Sequence, residues 1–320
     1  MNFSDILGQD QNIALLRRSL ATGKVGHSYL FEGIEGCGKR LTALAFIQAL
    51  FCNNGEECGG CPSCRKLAGM QHPDLHLVEP DGAFIKIDQV RELQRELSFR
   101  PFEAPRKACV IDAADRLNQA AGNALLKTLE EPPGNALIIL VTANVGRMLP
   151  TILSRCQRLH FRALPQETLE GHLLALGSDQ ETARLSSTMA GGSLGKAIAI
   201  SAETSLTGRR ELLERIFAFS LHDICLLLDM AEELAGDKER VPDILDILTA
   251  FLRDILLIQG GSAGIVNHDL LHLIEREASR HNMGLVMERI GHVDQARHSI
   301  QRNVNARLTL EVLFMRLSEG

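Results

Sequence analysis

The sequence predicts a parallel α/β domain followed by an all-helical region, and three observations predict it. Short apolar runs bounded by Gly, Pro or charge alternate with amphipathic stretches as far as Phe161. A glycine-rich turn follows the first of these runs and opens a helical pattern. Beyond Phe161 the strand signals vanish and only helical periodicity remains. Runs of this length without alternation fit strands buried on both faces, and strands alternating with helices fit a parallel sheet.

The expected strands are Ser28–Phe31, Leu75–Val78, Ala108–Ile111, Ala136–Val141 and Arg158–Phe161. The helix expected over Leu41–Phe51 is apolar on nearly every face and belongs in the interior. Over Asp88–Leu97, Val90, Leu93 and Leu97 fall on one stripe. Over Asn118–Glu130, Ala121, Leu125 and Leu129 recur one turn apart, and Pro132-Pro133 ends the element. Residues 164–203 predict a small helical unit turning at Gly191-Gly192. Further helices are expected over Arg209–Phe219, Asp243–Ile258 and Val304–Leu317.

The chain has 320 residues, 45% hydrophobic and 23% charged, which is ordinary for a globular protein of two or three domains. A net charge of −6 gives no overall attraction to nucleic acid. With no Trp and a single Tyr, an aromatic platform for single-stranded bases is not expected. Arg91, Arg95, Arg100, Arg106 and Lys107 read either as a solvated face or as residues that approach DNA. The first residues do not pattern as a secretory leader, and no apolar run is long enough for a bilayer. A cytoplasmic location is expected, where eight cysteines point to metal ligation or burial more than to disulfides.

After Ser28–Phe31 comes Gly33-Ile34-Glu35-Gly36-Cys37-Gly38-Lys39-Arg40, a G-x-x-x-x-G-K loop between strand and helix. Glycines at 33, 36 and 38 let backbone N–H groups face a phosphate, and Lys39 would neutralise its outer charge. The next position breaks the pattern. Ser or Thr there ligates Mg²⁺, whereas Arg40 repels a cation. Strand Ala108–Ile111 delivers Asp112, suited to Mg²⁺ through water, but Ala113 stands where a water-activating glutamate is needed and Asp115 is three residues along. Hydrolysis at this site is therefore not expected. Binding of ATP or ADP stays open, with Gly33, Gly36, Gly38, Lys39, Asp112 and Thr142 as its residues.

Cys52, Cys58, Cys61 and Cys64 form C-x₅-C-x₂-C-x₂-C, a spacing suited to structural Zn²⁺ with no open coordination position. Four free cysteines, or a Cys61–Cys64 redox pair, are the alternatives. Asn53-Asn54-Gly55 and Gly59-Gly60 supply turns. His72 and His76 read as packing or surface residues, and Cys37, Cys109, Cys156 and Cys225 as ordinary small residues.

Residues 123–133, Asn-Ala-Leu-Leu-Lys-Thr-Leu-Glu-Glu-Pro-Pro, precede a strand ending at Thr142 and then Leu149-Pro150-Thr151-Ile152-Leu153-Ser154-Arg155-Cys156. With Gly8-Gln9 and Gly26-His27-Ser28-Tyr29-Leu30-Phe31, this combination resembles the AAA+ clamp-loader family, the gamma/tau and delta-prime subunits of bacterial DNA polymerase III. The likeness covers most of residues 1–203, and Asn305–Leu317 is similar to the family's last helix. The resemblance implies an AAA+ P-loop domain over 1–163 with an inserted zinc module near 52–64, a helical lid over 164–204 and a helical collar over 205–320. It further implies a hetero-pentamer with gamma/tau and delta subunits that loads a sliding clamp on primed DNA. In that family the Ser-Arg-Cys element, here Ser154, Arg155 and Cys156, supplies an arginine finger to a neighbour's ATP site. Taken alone, Arg155 reads as a helix cap or as the mate of a surface acid. The resembled ATPases carry a lid arginine after Gly-Ser-Leu. Here Gly195 follows Gly192-Ser193-Leu194, and Lys196 lies about 100° round the helix. These departures resemble delta-prime more than gamma; the alternative is a gamma/tau-type motor with an atypical loop.

Overall fold

In the computed structural model, the five apolar runs form one sheet of parallel strands, β1 (Ser28–Glu32), β2 (Leu75–Val78), β3 (Ala108–Ile111), β4 (Leu137–Thr142) and β5 (Gln157–His160), in the order β2-β3-β4-β1-β5. The structure describes residues 2–54, 58–203, 206–218, 224–237, 240–262, 264–302 and 304–318. Gly55, Phe219 and the expected division at residues 204–205 lie outside them. Register places Leu30 beside Leu140 and Phe31 beside both Val141 and Leu159. β1 and β4 are buried throughout, as their unbroken apolar runs require. The edge strands differ from the expectation of burial on both faces: β2 is half-buried along Leu75–Leu77, and β5 exposes Gln157, Arg158 and His160 while burying Leu159. An edge strand with one covered face carries polar residues at alternate positions.

Two apolar layers sandwich the sheet. On one face Tyr29, Phe31, Val110 and Ile139 pack with helices α1 (Asp10–Ala21) and α2 (Lys39–Phe51). On the other, Leu30, Ile111, Ile138 and Leu140 pack with Val90, Leu93 and Leu97 of α4 (Ile87–Ser98) and Ala121, Leu125 and Leu129 of α5 (Gln119–Glu130). Alternate strand residues thus serve opposite layers. α2 is buried from Thr42 to Gln48, consistent with its apolarity on every side. Between α2 and β2 lies α3 (Pro62–Ala68), and a single turn, α6 (Pro150–Leu153), precedes β5. The Gly8-Gln9 pair ties the chain's beginning to its strand ends: Gln9 Nε2 donates to Arg162 O at 2.8 Å.

The chain forms two compact units, Met1–Thr168 with Gly192–Gly195, and Leu169–Gly191 with Lys196–Gly320. The second is helical, built from α7 (Gln166–Ala175, which begins in the first unit), α8 (Gln180–Met189), α9 (Leu194–Glu203), α10 (Leu206–Ala218), α11 (Ile224–Ala235), α12 (Val241–Gln259), α13 (Leu271–Arg280), α14 (Met283–Gln301) and α15 (Ala306–Ser318). Leu213, Leu248, Phe251, Leu252, Leu310 and Phe314 centre its core. The last helix starts at Ala306 instead of Val304, because the Asn305 side chain accepts from Leu308 N at 3.2 Å and caps it.

One buried carboxylate shapes the approach to β3. Asp74 is fully buried and accepts from Phe102 N at 2.7 Å and from Glu103 N and Ala104 N at 2.9 Å each. Burial alone raises its pKa, but the three N–H donors outweigh this and hold it below the ordinary carboxylate value. The contribution is therefore complete above the unfolded value, about 4, and is lost as pH falls through the folded one. Asp74→Ala should destabilise the chain by about 1–3 kcal/mol in urea unfolding near neutral pH, with the gap from wild type narrowing in acid. A constant gap across that pH range would be the wrong outcome.

Candidate functional site

The loop after β1 lies at the carboxyl ends of the parallel strands, where open α/β sheets bind their ligands. Its backbone needs glycine. Gly36 has φ of +72°, and a Cβ there would lie 2.3 Å from Ser193 Oγ. Lys39 opens α2 but is turned inward and buried: Nζ donates to Gly33 O at 2.7 Å and also to Ile34 O. Its charge is satisfied by the loop that the motif predicts it would share with a phosphate. Cys37, buried in the same loop, has its thiol pKa pushed up by that burial against the pull of Lys39.

Arg40 settles on two acids. Its Nη1 contacts Asp112 Oδ2 at 3.2 Å and also pairs with Glu79. Glu79 directly follows β2 and Asp112 directly follows β3, so the guanidinium links both strand ends to the start of α2. The other Asp112 oxygen accepts from Ala113 N at 2.9 Å. Both carboxylate oxygens are thus engaged where a cation would need them. Ala113 takes a left-handed conformation, φ +49°, to make this turn. Thr42 is buried and donates to Gly38 O at 2.8 Å, so its hydroxyl closes a helical turn. Thr142 donates to Asp115 Oδ1 at 2.8 Å, and the same oxygen accepts from Ala143 N at 3.3 Å. The expected site residues are therefore present at the sheet's end but committed to one another. Glu79, which the motif does not single out, is the acid that completes the arrangement; a charged residue directly after a strand was its only signal.

The segment Gly192–Gly195 lies on the loop. Gly195 N donates to Gly36 O at 3.0 Å, and a Cβ on Gly195 would stand 3.2 Å from Gly36 Cα. A side chain at Gly195 would therefore press on the loop unless the backbone shifted by a few tenths of an ångström. Lys196, the adjacent base, pairs with Asp246 at 3.1 Å.

Arg155 follows α6, with a side chain one-third exposed. Nε donates to Glu130 Oε1 at 2.6 Å, and Nη1 donates to Thr151 O at 2.9 Å and Ser154 Oγ at 3.2 Å. The plain reading of Arg155 as the mate of a surface acid therefore describes the chain by itself. Cys156 beside it is half-buried, and desolvation pushes its thiol pKa up to about 12. Among the basic residues that the sequence left open for DNA, Lys107 is buried with Nζ 6.0 Å from the Phe99 ring centre, while Arg91 and Arg95 sit near Asp88 and Glu96.

The four clustered cysteines meet, their sulfur atoms all within 4.8 Å of one another. Cys52 Sγ lies 3.5 Å from Cys58 Sγ, and Cys58 Sγ lies 3.9 Å from Cys64 Sγ. Tetrahedral thiolates around zinc stand about 3.8 Å apart. Cys61 caps α3, accepting from Cys64 N at 3.5 Å, and backbone N–H donors hold its pKa at about 6. Burial drives Cys64 the other way, to about 12, a penalty that a bound cation would reverse. The set can hold a metal ion. His72 does not join it: its ring lies tilted against Phe51 with centroids 4.8 Å apart, and burial lowers its pKa. His76 lies on β2, with its pKa likewise lowered by burial.

A parallel sheet of this order, with a phosphate-type loop after its first strand and helices beyond, gives the protein an α/β fold of the P-loop kind. Residues 8–165 match the family described as DNA polymerase III, delta subunit, and residues 203–319 match its C-terminal counterpart. The chain is 33% identical to DNA polymerase III subunit delta' of Bacillus subtilis over 98% of its own length and 97% of that protein's. It is 31% identical to the gamma/tau subunit of Mycobacterium tuberculosis over 99% of its length, covering 61% of that longer protein. A solved DNA polymerase III gamma subunit-related protein from Thermotoga maritima shares the fold, with a TM-score of 0.53, 21% identity and coverage of 96% and 98% of the two chains. The chain belongs to the delta-prime family of DNA polymerase III clamp-loader subunits. Among the described residues no helix is long and apolar enough to cross a membrane.

Replacing Arg40 tests the local electrostatics. Arg40→Ala leaves Glu79 and Asp112 without their shared cation, a loss of about 1 kcal/mol or less at an exposed pair. Millimolar Mg²⁺ should then raise the melting temperature of the variant and leave that of wild type unchanged. Equal responses of both proteins would mean that Arg40 does not fill the cation's place.

Proposed function

We propose that this chain serves the clamp loader as a non-hydrolysing subunit that offers Arg155 to the ATP site of a neighbouring subunit. The observation that carries the reading is Arg40: it stands at the metal-ligating position of the loop and binds Asp112, the acid suited to the metal. A guanidinium supplies one positive charge and no open coordination position, so metal-assisted phosphoryl transfer in this chain lacks its cation. Ala113 and Gly195 take the places of a water-activating acid and a lid arginine, and Lys39 is satisfied by its own loop. Arg155, by contrast, follows the single turn α6 with its side chain one-third exposed, and its permanently charged planar fork is suited to a terminal phosphate.

In this reading the partners are gamma/tau and delta subunits in a hetero-pentamer that acts on a sliding clamp and primed DNA. Residues 1–163 are the AAA+ domain, 164–204 the lid and 205–320 the assembling collar. Cys52, Cys58, Cys61 and Cys64 bind zinc as a structural ion: all four positions are thiolates, so the ion fixes the turn between α2 and α3 and leaves no site for chemistry.

The isolated chain should show no ATP hydrolysis. Metal-dependent turnover by the pure subunit would favour a gamma/tau-type motor. In the reconstituted complex Arg155→Ala should reduce hydrolysis at the adjoining site by about 10³-fold or more while assembly persists; unchanged hydrolysis would rule out the trans role. Metal analysis should find about one zinc per chain, and chelation should lower the thermal stability of the first unit. A metal-free chain of undiminished stability would remove the zinc assignment.

A further inference from the structure

Arg155 is engaged at both ends of its guanidinium inside its own chain. One edge, Nε and Nη2, faces Glu130, and Nη1 is taken by Thr151 O and Ser154 Oγ. In this state little of the fork is left for a phosphate. Glu130 is the last residue of α5, where the helix dipole disfavours a negative charge, so its position is explained by Arg155 and not by the helix. Glu131, the next residue, is also acidic and exposed but makes no pairing with Arg155. The paired side chains are 33% and 49% exposed, which makes the contact screened and exchangeable.

We infer that Glu130 is a competing counter-ion that holds Arg155 in a self-paired state, and that the terminal phosphate of a nucleoside triphosphate on the neighbouring subunit must displace it. This regulation rests on the trans-arginine reading. A carboxylate kept on the guanidinium would cancel the charge that the finger supplies and would repel the phosphate, so the two anions compete for one cation. A triphosphate, with its extra charge, wins that competition where a diphosphate does not, and Glu130 thereby sets the nucleotide occupancy at which the finger engages.

The test uses the reconstituted clamp loader carrying wild type, Glu130→Gln, Glu131→Gln or Arg155→Ala, with assembly checked by size exclusion and hydrolysis followed against ATP concentration. Glu130→Gln keeps the shape and removes the charge. It should lower the half-saturating ATP concentration by about two- to fivefold without reducing the maximal rate. Glu131→Gln should match wild type. A Glu130→Gln complex that is unchanged, that needs more ATP, or that has a lower maximal rate overturns the inference, the last because Glu130 would then be supporting the productive geometry. Equal effects from both glutamine variants would reduce it to general surface charge and also overturn it. If Arg155→Ala hydrolyses ATP as wild type does, the trans-arginine reading fails, and this inference with it. Loss of hydrolysis in Arg155→Ala beside an unaltered Glu130→Gln overturns the counter-ion role alone.

Discussion

The guanidinium of Arg40, set between Glu79 and Asp112, is the interaction on which the character of this site depends. β2 and β3 each end on an acid, and two carboxylates at the carboxyl end of a parallel sheet require a positive charge near them. In a phosphate-transferring site a hydrated divalent ion provides it. Here the first turn of α2 provides it covalently. Arg40 neutralises the strand ends, and in the proposed reading it takes the place of the ion that phosphoryl transfer uses.

The other departures follow from that choice. Lys39 is satisfied by Gly33 and Ile34, and Gly195 N donates to Gly36 O of the same loop. Gly195 approaches Gly36 closely, and a Cβ there would press on the loop at 3.2 Å. Thr142 and Asp115, on and beside the central strands, become a hydrogen-bonded pair that stiffens the sheet end. Arg155 lies apart from these contacts, held by Glu130 at the end of α5. In the proposed reading the two arginines have different tasks: Arg40 neutralises the strand ends within its own loop, and Arg155 is exchanged between its own acid and a neighbour's phosphate.

Much of the architecture was legible from periodicity. Five short runs, three of them free of charge and His, identified the five strands, and the Val90-Leu93-Leu97 stripe identified the face of α4 that meets the sheet. The cysteine spacing identified a cluster of four sulfurs that could hold a metal ion, because two x₂ intervals bring sulfurs together locally. The edge strands were less legible: local apolarity does not say which strand will lack a neighbour, and β5 carries Arg158 and His160 on exposed positions for that reason. Pairings across long sequence separations were not legible at all. Arg40 could be recognised as wrong for a cation from its type alone, but its bond to Glu79 needed the strand order. Glu130 was visible only as part of a motif, and its hold on Arg155 depends on how α5 packs beside α6.

The central claim is that Arg40 stands in for a metal ion, and it is tested most directly by titrating the isolated chain with a fluorescent ATP analogue in Mg²⁺ and again in EDTA. Nucleotide affinity, whether weak or absent, should not change with the metal. Binding tightened by about tenfold or more when Mg²⁺ is added, a gain of about 1.4 kcal/mol, would show a working cation site and contradict that claim.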